Sequence, residues 1–360
     1  MLDKVYGGEI DYLQIMDQDG KIDQQLIPKE ADDKTIIEMY RYMNFARALD
    51  AKTLSLQRQG RAVTYAPLLG QEATQIGSAL ALRDGDYFVP NFRQHGVYLV
   101  RKLPLVNFFI YWKGYEEGGV VPEGIHGTPV IVPVATQLPH AAGIAYAQRY
   151  HNTNAAVVVY VGDGGTSEGD FYEGINFAGV WKLPLVVIIE NNGWAISVPR
   201  SRQSAAQTLA QKAIAAGVKG IQVDGNDVIA VYKAVKDAID DSQNGTTVVE
   251  CLTYRMGMHT TADDPTKYRD EKLVEEWRQK DPIDRVRKYL YSKKLWSVEL
   301  EAQMQTEFSK QIDDAVEKAE EFKPDPQSMF KNVYSYVPQV LQDEYDDAVR
   351  EGFWQGEMKV

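Results

Sequence analysis

Two short apolar runs, AAVVVYVG at 155–162 and LPLVVIIE at 183–190, constrain this chain most. β-Branched residues crowd a helical turn but pack well on a pleated surface. Neither run alternates with polar residues, as expected of strands covered on both faces. The segment from about Glu168 to Trp181 between them reads as a helix. A strand, a helix and a strand of these lengths form a βαβ unit, with parallel strands and a right-handed crossover.

The same alternation continues outward. Ile36, Ile37, Tyr40, Met43, Ala46 and Leu49 follow helical spacing over 32–58, with Asp32 or Asp33 as the cap. Ala73, Ile76, Gly77 and Leu80 share a face over 71–82, and YFVP follows as a short strand after RDGD. Further on come a helix near 203–216, GIQVDG as strand and turn, a helix at 227–241 and the strand TTVVECLTY. From about 270 to the end the chain is charged helix. Residues 1–31 are polar and acidic around the patch DYLQIM, and read as an arm that packs on something else, such as another subunit. The expected organisation is that arm followed by one α/β domain over 32–360, whose last part, 270–360, is helical. The fold class is α/β in three layers, α/β/α, with a mostly parallel sheet, a helical N-terminal arm and C-terminal helices. The Pro- and Gly-rich loop VPEGIHGTPVIVPVATQ at 121–137 suits backbone that approaches a ligand.

Composition narrows the function classes. A chain of 360 residues with 44% hydrophobic and 25% charged content can build a substantial core. With 39 basic against 51 acidic residues the net charge is -12, which argues against a nucleic-acid surface. The one cysteine, Cys251, cannot form an internal disulfide and sits in an apolar run, so it reads as a core residue in a reducing compartment. No secretory signal opens the chain, and the apolar runs are too short to span a bilayer. A soluble cytoplasmic protein is expected.

The chemistry concentrates at the ends of the two central strands. GDGGTSEGD (162–170) follows the first and ENN (190–192) closes the second. Parallel neighbours would open both ends on one sheet edge, where open α/β sheets bind ligands. Asp163 and Asn192 would then project into one space. A carboxylate with an amide oxygen is the sparse ligand set that magnesium accepts when phosphates and water fill the other positions. Gly164 and Gly165 leave backbone N–H groups free to approach phosphate, and the helix starting near Glu168 directs its positive end the same way. Either motif alone could be a plain turn; their spacing at matching strand ends makes the pair specific. A dinucleotide site with Glu190 as ribose acid is the nearest competitor, but Ser167 stands where its third glycine belongs. A phosphate-loop lysine motif is absent as well.

GDGGTSEGDFYEGINFAGVWKLPLVVIIENNGWAIS resembles the thiamine diphosphate motif of the alpha subunit of the first component of 2-oxo acid dehydrogenase complexes. The likeness extends over nearly the whole chain, through LQRQGRAVTYAPLLGQEA, VPNFRQHG, VATQLPHAAGIAYA, GIQVDGNDVIAVY and TYRMGMHTTADDPTKYR. It implies that 32–360 is a thiamine diphosphate-binding domain and that Asp163, Asn192 and the backbone carbonyl of Trp194 ligate magnesium. It implies that Phe92 and Arg93 meet the diphosphate, with Phe92 lacking the hydroxyl that many relatives carry there. Gly162, Asp163, Gly164 and Gly165 form the phosphate turn. Ile196 props the cofactor into its bent shape, and the backbone of Val134 contacts the aminopyrimidine. Taken without the likeness, Ile196 and Val134 read as core residues and His259 as an exposed loop histidine.

By the same resemblance His259, in RMGMHTTADD, belongs to a mobile active-site loop and acts in proton transfer or in stabilising a charged intermediate. Arg255, Tyr268 and Arg269 order that loop, and Thr260 matches a position phosphorylated in some relatives. His95, His126, His140 and His151 read as structural or surface residues. The reaction implied is decarboxylation of a 2-oxo acid and reductive acylation of a lipoyl group on an acyltransferase core. A separate beta subunit supplies the activating glutamate within an alpha2–beta2 heterotetramer, so the lone chain should be inactive. The likeness runs closest to bacterial pyruvate dehydrogenase (acetyl-transferring) alpha subunits. TYAPLLGQEA and apolar Val132 favour pyruvate, whereas VATQ and IQVDGNDV are shared with branched-chain relatives. A reading from another class is a noncatalytic nucleotide- or phosphate-binding regulator on the same sheet.

Overall fold

The computed structural model describes residues 7–325, 327–331 and 333–352. The first six residues of the expected arm and the last eight of the expected C-terminal segment lie outside the described residues, as do Pro326 and Asn332.

The chain runs β1 (Asp11–Leu13), α1 (Asp33–Arg58), α2 (Glu72–Ala81), β2 (Tyr87–Val89), α3 (His95–Val100), α4 (Leu105–Trp112) and α5 (Gln137–Tyr150). There follow β3 (Val157–Gly162), α6 (Gly169–Val180), β4 (Leu185–Asn191), the small hairpin β5 (Trp194–Ala195) and β6 (Val198–Pro199), α7 (Arg200–Gln203) and α8 (Lys212–Ala215). Then come β7 (Lys219–Asp224), α9 (Val228–Asp240) and β8 (Thr247–Leu252). The helices α10 (Glu271–Arg278), α11 (Pro282–Ser292), α12 (Val298–Glu320), α13 (Ser328–Lys331) and α14 (Gln339–Arg350) complete it. No helix among the described residues is long and apolar enough to cross a membrane.

The sheet has the order β1-β7-β8-β4-β3-β2, and every pairing in it is parallel. The two apolar runs of the sequence are its central neighbours, in the register Val157↔Leu185 to Gly162↔Glu190. Strand alternation divides their side chains between two cores. Val158, Tyr160, Val186 and Ile188 pack with α1, α2 and α9, while Val157, Val159, Val161, Val187 and Ile189 pack with α5 and α6. Both faces are therefore covered, which is why neither run carries polar alternation. The expected three layers are present.

Local chemistry sets the helix starts. Asp32 caps α1 by accepting from the Thr35 N–H at 2.8 Å, and Asp227 caps α9 by accepting from Ile229 and Ala230. Two expectations need correction. The arm is not helical over its described part: Asp11–Leu13 joins the sheet edge beside β7, and Ile15 and Met16 are buried in the core. Their N–H groups both donate to Asp227, 2.6 Å each, a partner more than two hundred residues away that no local pattern reveals. The single helix expected near 203–216 is two short ones, α7 and α8, with 204–211 irregular. Arg200 draws the carbonyl of Ser204 at 2.8 Å and Glu250 takes the N–H of Ala210 at 2.9 Å, so these backbone groups have partners outside any continuous helix. Cys251 is buried in the core, and burial pushes its thiol far up.

Candidate active site

Because β3 and β4 are adjacent and level, the residues just beyond their carboxyl ends meet. The Asp163 N–H donates to the Glu190 carbonyl at 3.3 Å, and Asn192 lies one step past β4. A cavity of about 220 Å³ opens here. It is lined by the glycine turn Gly162, Asp163, Gly164 and Gly165, by Phe92 and Arg93, by Val134, by Asn192, Trp194 and Ile196, and by His259. Every residue that the resemblance assigns to the cofactor, the metal or catalysis is thus brought to one place. Val132, weighed as a substrate discriminator, is exposed and does not line this cavity; Val134, two residues on, does.

The turn after β3 is a tight 3-10 coil, Gly164–Ser167. Its glycines answer to packing as well as to ligand approach. A Cβ on Gly165 would sit 2.5 Å from Val161 Cγ2, and one on Gly164 would sit 2.9 Å from the Ala195 Cβ. Ala195 and Ile196 close the opposite wall. Ile196 holds φ +56°, and Ala135, beside Val134, holds φ +70°. A β-branched residue in the left-handed region is strained and persists only where its surroundings hold it. Arg255 Nη2 provides that hold, donating to the Ile196 carbonyl at 2.6 Å.

Among the described residues Asp163, Arg93 and Arg255 form no ion pair. Both carboxylate oxygens of Asp163 are buried without a hydrogen-bond partner, and burial raises the group to about 6. Arg93 is buried and forms no ion pair; burial, then Arg255 beside it, pull it down to about 10. It donates instead to the carbonyls of Pro67 at 2.5 Å and His259 at 3.0 Å. Arg255 likewise lacks a carboxylate partner and is spent on Ile196, the Tyr268 hydroxyl at 2.9 Å and the His259 ring. A lone buried acid calls for a cation and two buried guanidiniums call for an anion. A divalent cation together with a phosphate-bearing anion would satisfy both.

Asn192 Nδ2 donates to Gln71 Oε1 at 2.8 Å, which fixes the amide with its oxygen turned away from Gln71; that oxygen accepts the Trp194 N–H at 3.2 Å and keeps a second lone pair. Among the described residues no three of His, Cys, Asp or Glu gather as a metal cluster. Asp163 with Asn192 is the sparse kind of pair that suits a phosphate-bound magnesium.

His259 sits between the two arginines, its Nδ1 3.2 Å from Arg93 Nη2 and 3.2 Å from Arg255 Nη1. Facing two donors that cannot lose their protons, Nδ1 must accept, so the ring proton resides on Nε2. Burial, then Arg93 and Arg255, push the imidazole down to about 4. At neutral pH it is a neutral hydrogen-bond donor. The loop carrying it is laced in place by hydrogen bonds. Asp263 accepts from the His259 N–H at 2.7 Å and from Tyr268 at 2.5 Å, and Arg269 donates to the carbonyls of Arg255, Met256 and Gly257. Burial works against Asp263, but Tyr268, the His259 N–H and Arg255 outweigh it and hold the carboxyl low.

Sequence reading passed over Gln71 and gave Glu190 only a ribose role. Glu190 is buried at the cavity, accepts from Gln94 Nε2 at 2.7 Å, and keeps Oε1 unpartnered; burial, opposed by Arg93, raises it to about 7. Glu168, Asn91 and Gln203 also reach the cavity. The one signal for Gln71 was its place at the start of an apolar helix. The remaining histidines stand apart: His95 is buried with Nε2 2.9 Å from the Ala66 carbonyl, His126 lies against Tyr87, and His140 and His151 are exposed.

A family model described as "Dehydrogenase E1 component" matches residues 40–327. The chain is 41% identical over 342 residues to the pyruvate dehydrogenase E1 component subunit alpha of Staphylococcus aureus (strain Mu50), which covers 94% of this chain and 92% of that one. It is 40% identical over 342 residues to the subunit of that name from Staphylococcus epidermidis (strain ATCC 12228), with the same coverage.

Proposed function

Since the chain belongs to the dehydrogenase E1 component family, we propose that it is the alpha subunit of a pyruvate dehydrogenase, whose cavity holds thiamine diphosphate through a magnesium ion. One observation carries this reading: a buried Asp163 carboxylate without a partner, facing buried guanidiniums without carboxylates, at the edge where β3 and β4 end. The family is thiamine diphosphate-dependent. When bound, that group supplies the electron sink for decarboxylating a 2-oxo acid.

The chain's own residues then have separable tasks. Asp163, Asn192 and the Trp194 carbonyl would hold the magnesium, and the N–H groups of Gly164 and Gly165 would meet the diphosphate. Arg93 neutralises it, with the Phe92 ring closing that wall. Ile196 and Val134 bear on the cofactor's rings. His259 presents its Nε2–H to the oxygen of the substrate, while Arg255, Tyr268 and Asp263 fix the loop that carries it. As a neutral donor His259 polarises a carbonyl or carboxylate without transferring its proton.

The cavity falls below the roughly 300–1,000 Å³ usual for small-molecule sites, and two of its apolar walls, Val134 and Ile196, are 50% and 58% exposed. The same reading makes it half a site, completed by a beta subunit in an alpha2–beta2 assembly of the cytoplasm that passes the acyl group to a lipoyl-bearing core. Thermal shift and turnover test the proposal together. Thiamine diphosphate should stabilise the protein only with magnesium, and adenine nucleotides should not. The lone chain should not decarboxylate pyruvate; with its beta subunit it should prefer pyruvate to 3-methyl-2-oxobutanoate. Stabilisation by ATP or NAD alone would overturn the reading in favour of a nucleotide-binding regulator.

A further inference from the structure

Lys212, at the start of α8, is 7% exposed, unusual for a lysine. Its ammonium has no carboxylate within ion-pair distance among the described residues. Both of its hydrogen bonds go to one residue of the phosphate turn, the Thr166 carbonyl and, at 3.0 Å, the Thr166 hydroxyl. The rings of Tyr172 and Phe171, in the first turn of α6, flank it with centroids 5.0 and 5.8 Å away. Cation–π contact of this kind offsets part of the cost of burying the charge. The Thr166 hydroxyl, accepting from Lys212, donates its own proton to the Asp163 carbonyl at 2.8 Å. A continuous chain of hydrogen bonds therefore runs from the ammonium through Thr166 to the backbone of Asp163, whose carboxylate faces the cavity unpartnered. The segment bearing Lys212 is fixed from below, since Glu250 on β8 takes the Ala210 N–H.

We propose that Lys212 is a positioning residue for the diphosphate turn, holding residues 163–167 in the shape that presents Asp163 to the metal and placing a positive charge beneath the turn. Lys212 does not line the cavity and so acts through Thr166. The cation is retained there because the turn carries an anion when the site is filled. Groups that orient metal ligands from outside the coordination sphere change metal affinity by about 10–100-fold when removed.

This inference rests on the proposed thiamine diphosphate site, and the test separates the two. Calorimetry would titrate thiamine diphosphate, with magnesium in excess, into the complex with the beta subunit, as wild type, Lys212→Met, Lys212→Arg, Thr166→Val and the double variant Lys212→Met/Thr166→Val. If wild type does not bind, the functional reading fails, and this inference with it. If wild type binds, Lys212→Met is expected to weaken affinity about tenfold or more, while its ligand-free melting temperature stays near wild type. Lys212→Arg should recover most of the affinity, and the double variant should be no worse than the weaker single one, since both break one chain of contacts. Wild-type affinity in Lys212→Met, equal losses in Met and Arg variants, or additive losses in the double variant would overturn it. Should Lys212→Met fail to fold, Thr166→Val decides alone: unchanged affinity there refutes the role.

Discussion

Two clusters of buried charge lie on the same edge of the sheet and are built in opposite ways. Beside β7, Asp224 and Arg285 pair at 2.8 Å, and Arg285 also donates to the Met16 carbonyl at 3.0 Å. Asp224 accepts from Gln14 and from the Asn226 N–H as well, and Asp227 next to it takes four backbone N–H groups. At the ends of β3 and β4, Asp163 accepts nothing through its side chain, and Arg93 and Arg255 face carbonyls and an imidazole rather than acids. In the first cluster every carboxylate is paired within the chain, Arg285 Nε alone lacking a partner there among the described residues, and the cluster locks the N-terminal strand to the domain. The second is open, and its unsatisfied charges amount to a description of a ligand. Burial is common to both; satisfaction separates structure from function.

The sharpest way to break the contrast is to remove one partner from each cluster. Arg285→Leu strands Asp224 in the interior and should cost about 3–5 kcal/mol of unfolding free energy, read by urea denaturation, with the Asp163 cavity untouched. Asp163→Ala should do the reverse. Cofactor affinity by calorimetry should fall more than a hundredfold, about 3 kcal/mol, while the ligand-free melting temperature holds or rises because a lone buried charge is gone. Comparable destabilisation by both would erase the distinction.

A smaller effect tests the guanidinium pair. In the ligand-free protein His259 titrates near 4, because burial and both arginines disfavour its cation. A diphosphate on those arginines would cancel their repulsion and raise the value, burial still holding it below the usual imidazole range, visible in the imidazole resonances of isotope-labelled protein. The stability consequence has a definite sign. The folded value lies below the unfolded one near 6.5, so this contribution is intact above pH 6.5 and is lost as pH falls toward 4. His95, pushed down to about 3 chiefly by burial, acts in the same direction. An imidazole that titrates at 6.5 with or without ligand would show that the arginines do not face it.

The smallest expected effect concerns strain. Ile196 is largely exposed at φ +56°, so Ile196→Gly sacrifices little packing and relieves the left-handed conformation. The ligand-free protein should gain up to about 1 kcal/mol, while cofactor affinity falls. A loss of stability would mean that the side chain belongs to the core.

The legible and illegible parts of the molecule divide along the range of the interactions involved. The strands at 155–162 and 183–190 announced themselves because burial on both faces leaves a continuous apolar run, and GDGG and ENN could be placed at their ends by counting. The N-terminal strand could not be found so easily. DYLQIM is short and bordered by acids, and what makes Asp11–Leu13 a strand is the exposed edge of β7 together with Asp227. The helix expected at 203–216 failed for the same reason in reverse, since Arg200 and Glu250 claim backbone groups there. In the site, the turn was read from its motif, whereas the loop histidine came only from the family resemblance. Gln71, Glu190 and Lys212 gave little local sign of their roles, because each acts on a residue from another part of the chain.

By itself the sequence determined the parallel sheet, the two strand ends and the acid and amide that stand on them, because periodicity and turn chemistry act over a few residues and are written there directly. Tertiary structure decided that Asp163 has no partner while Asp224 has one, that His259 keeps its proton on Nε2, and that a lysine lies under the phosphate turn. Those are facts about which groups meet, and a buried charge acquires its meaning only from what the folded chain sets against it.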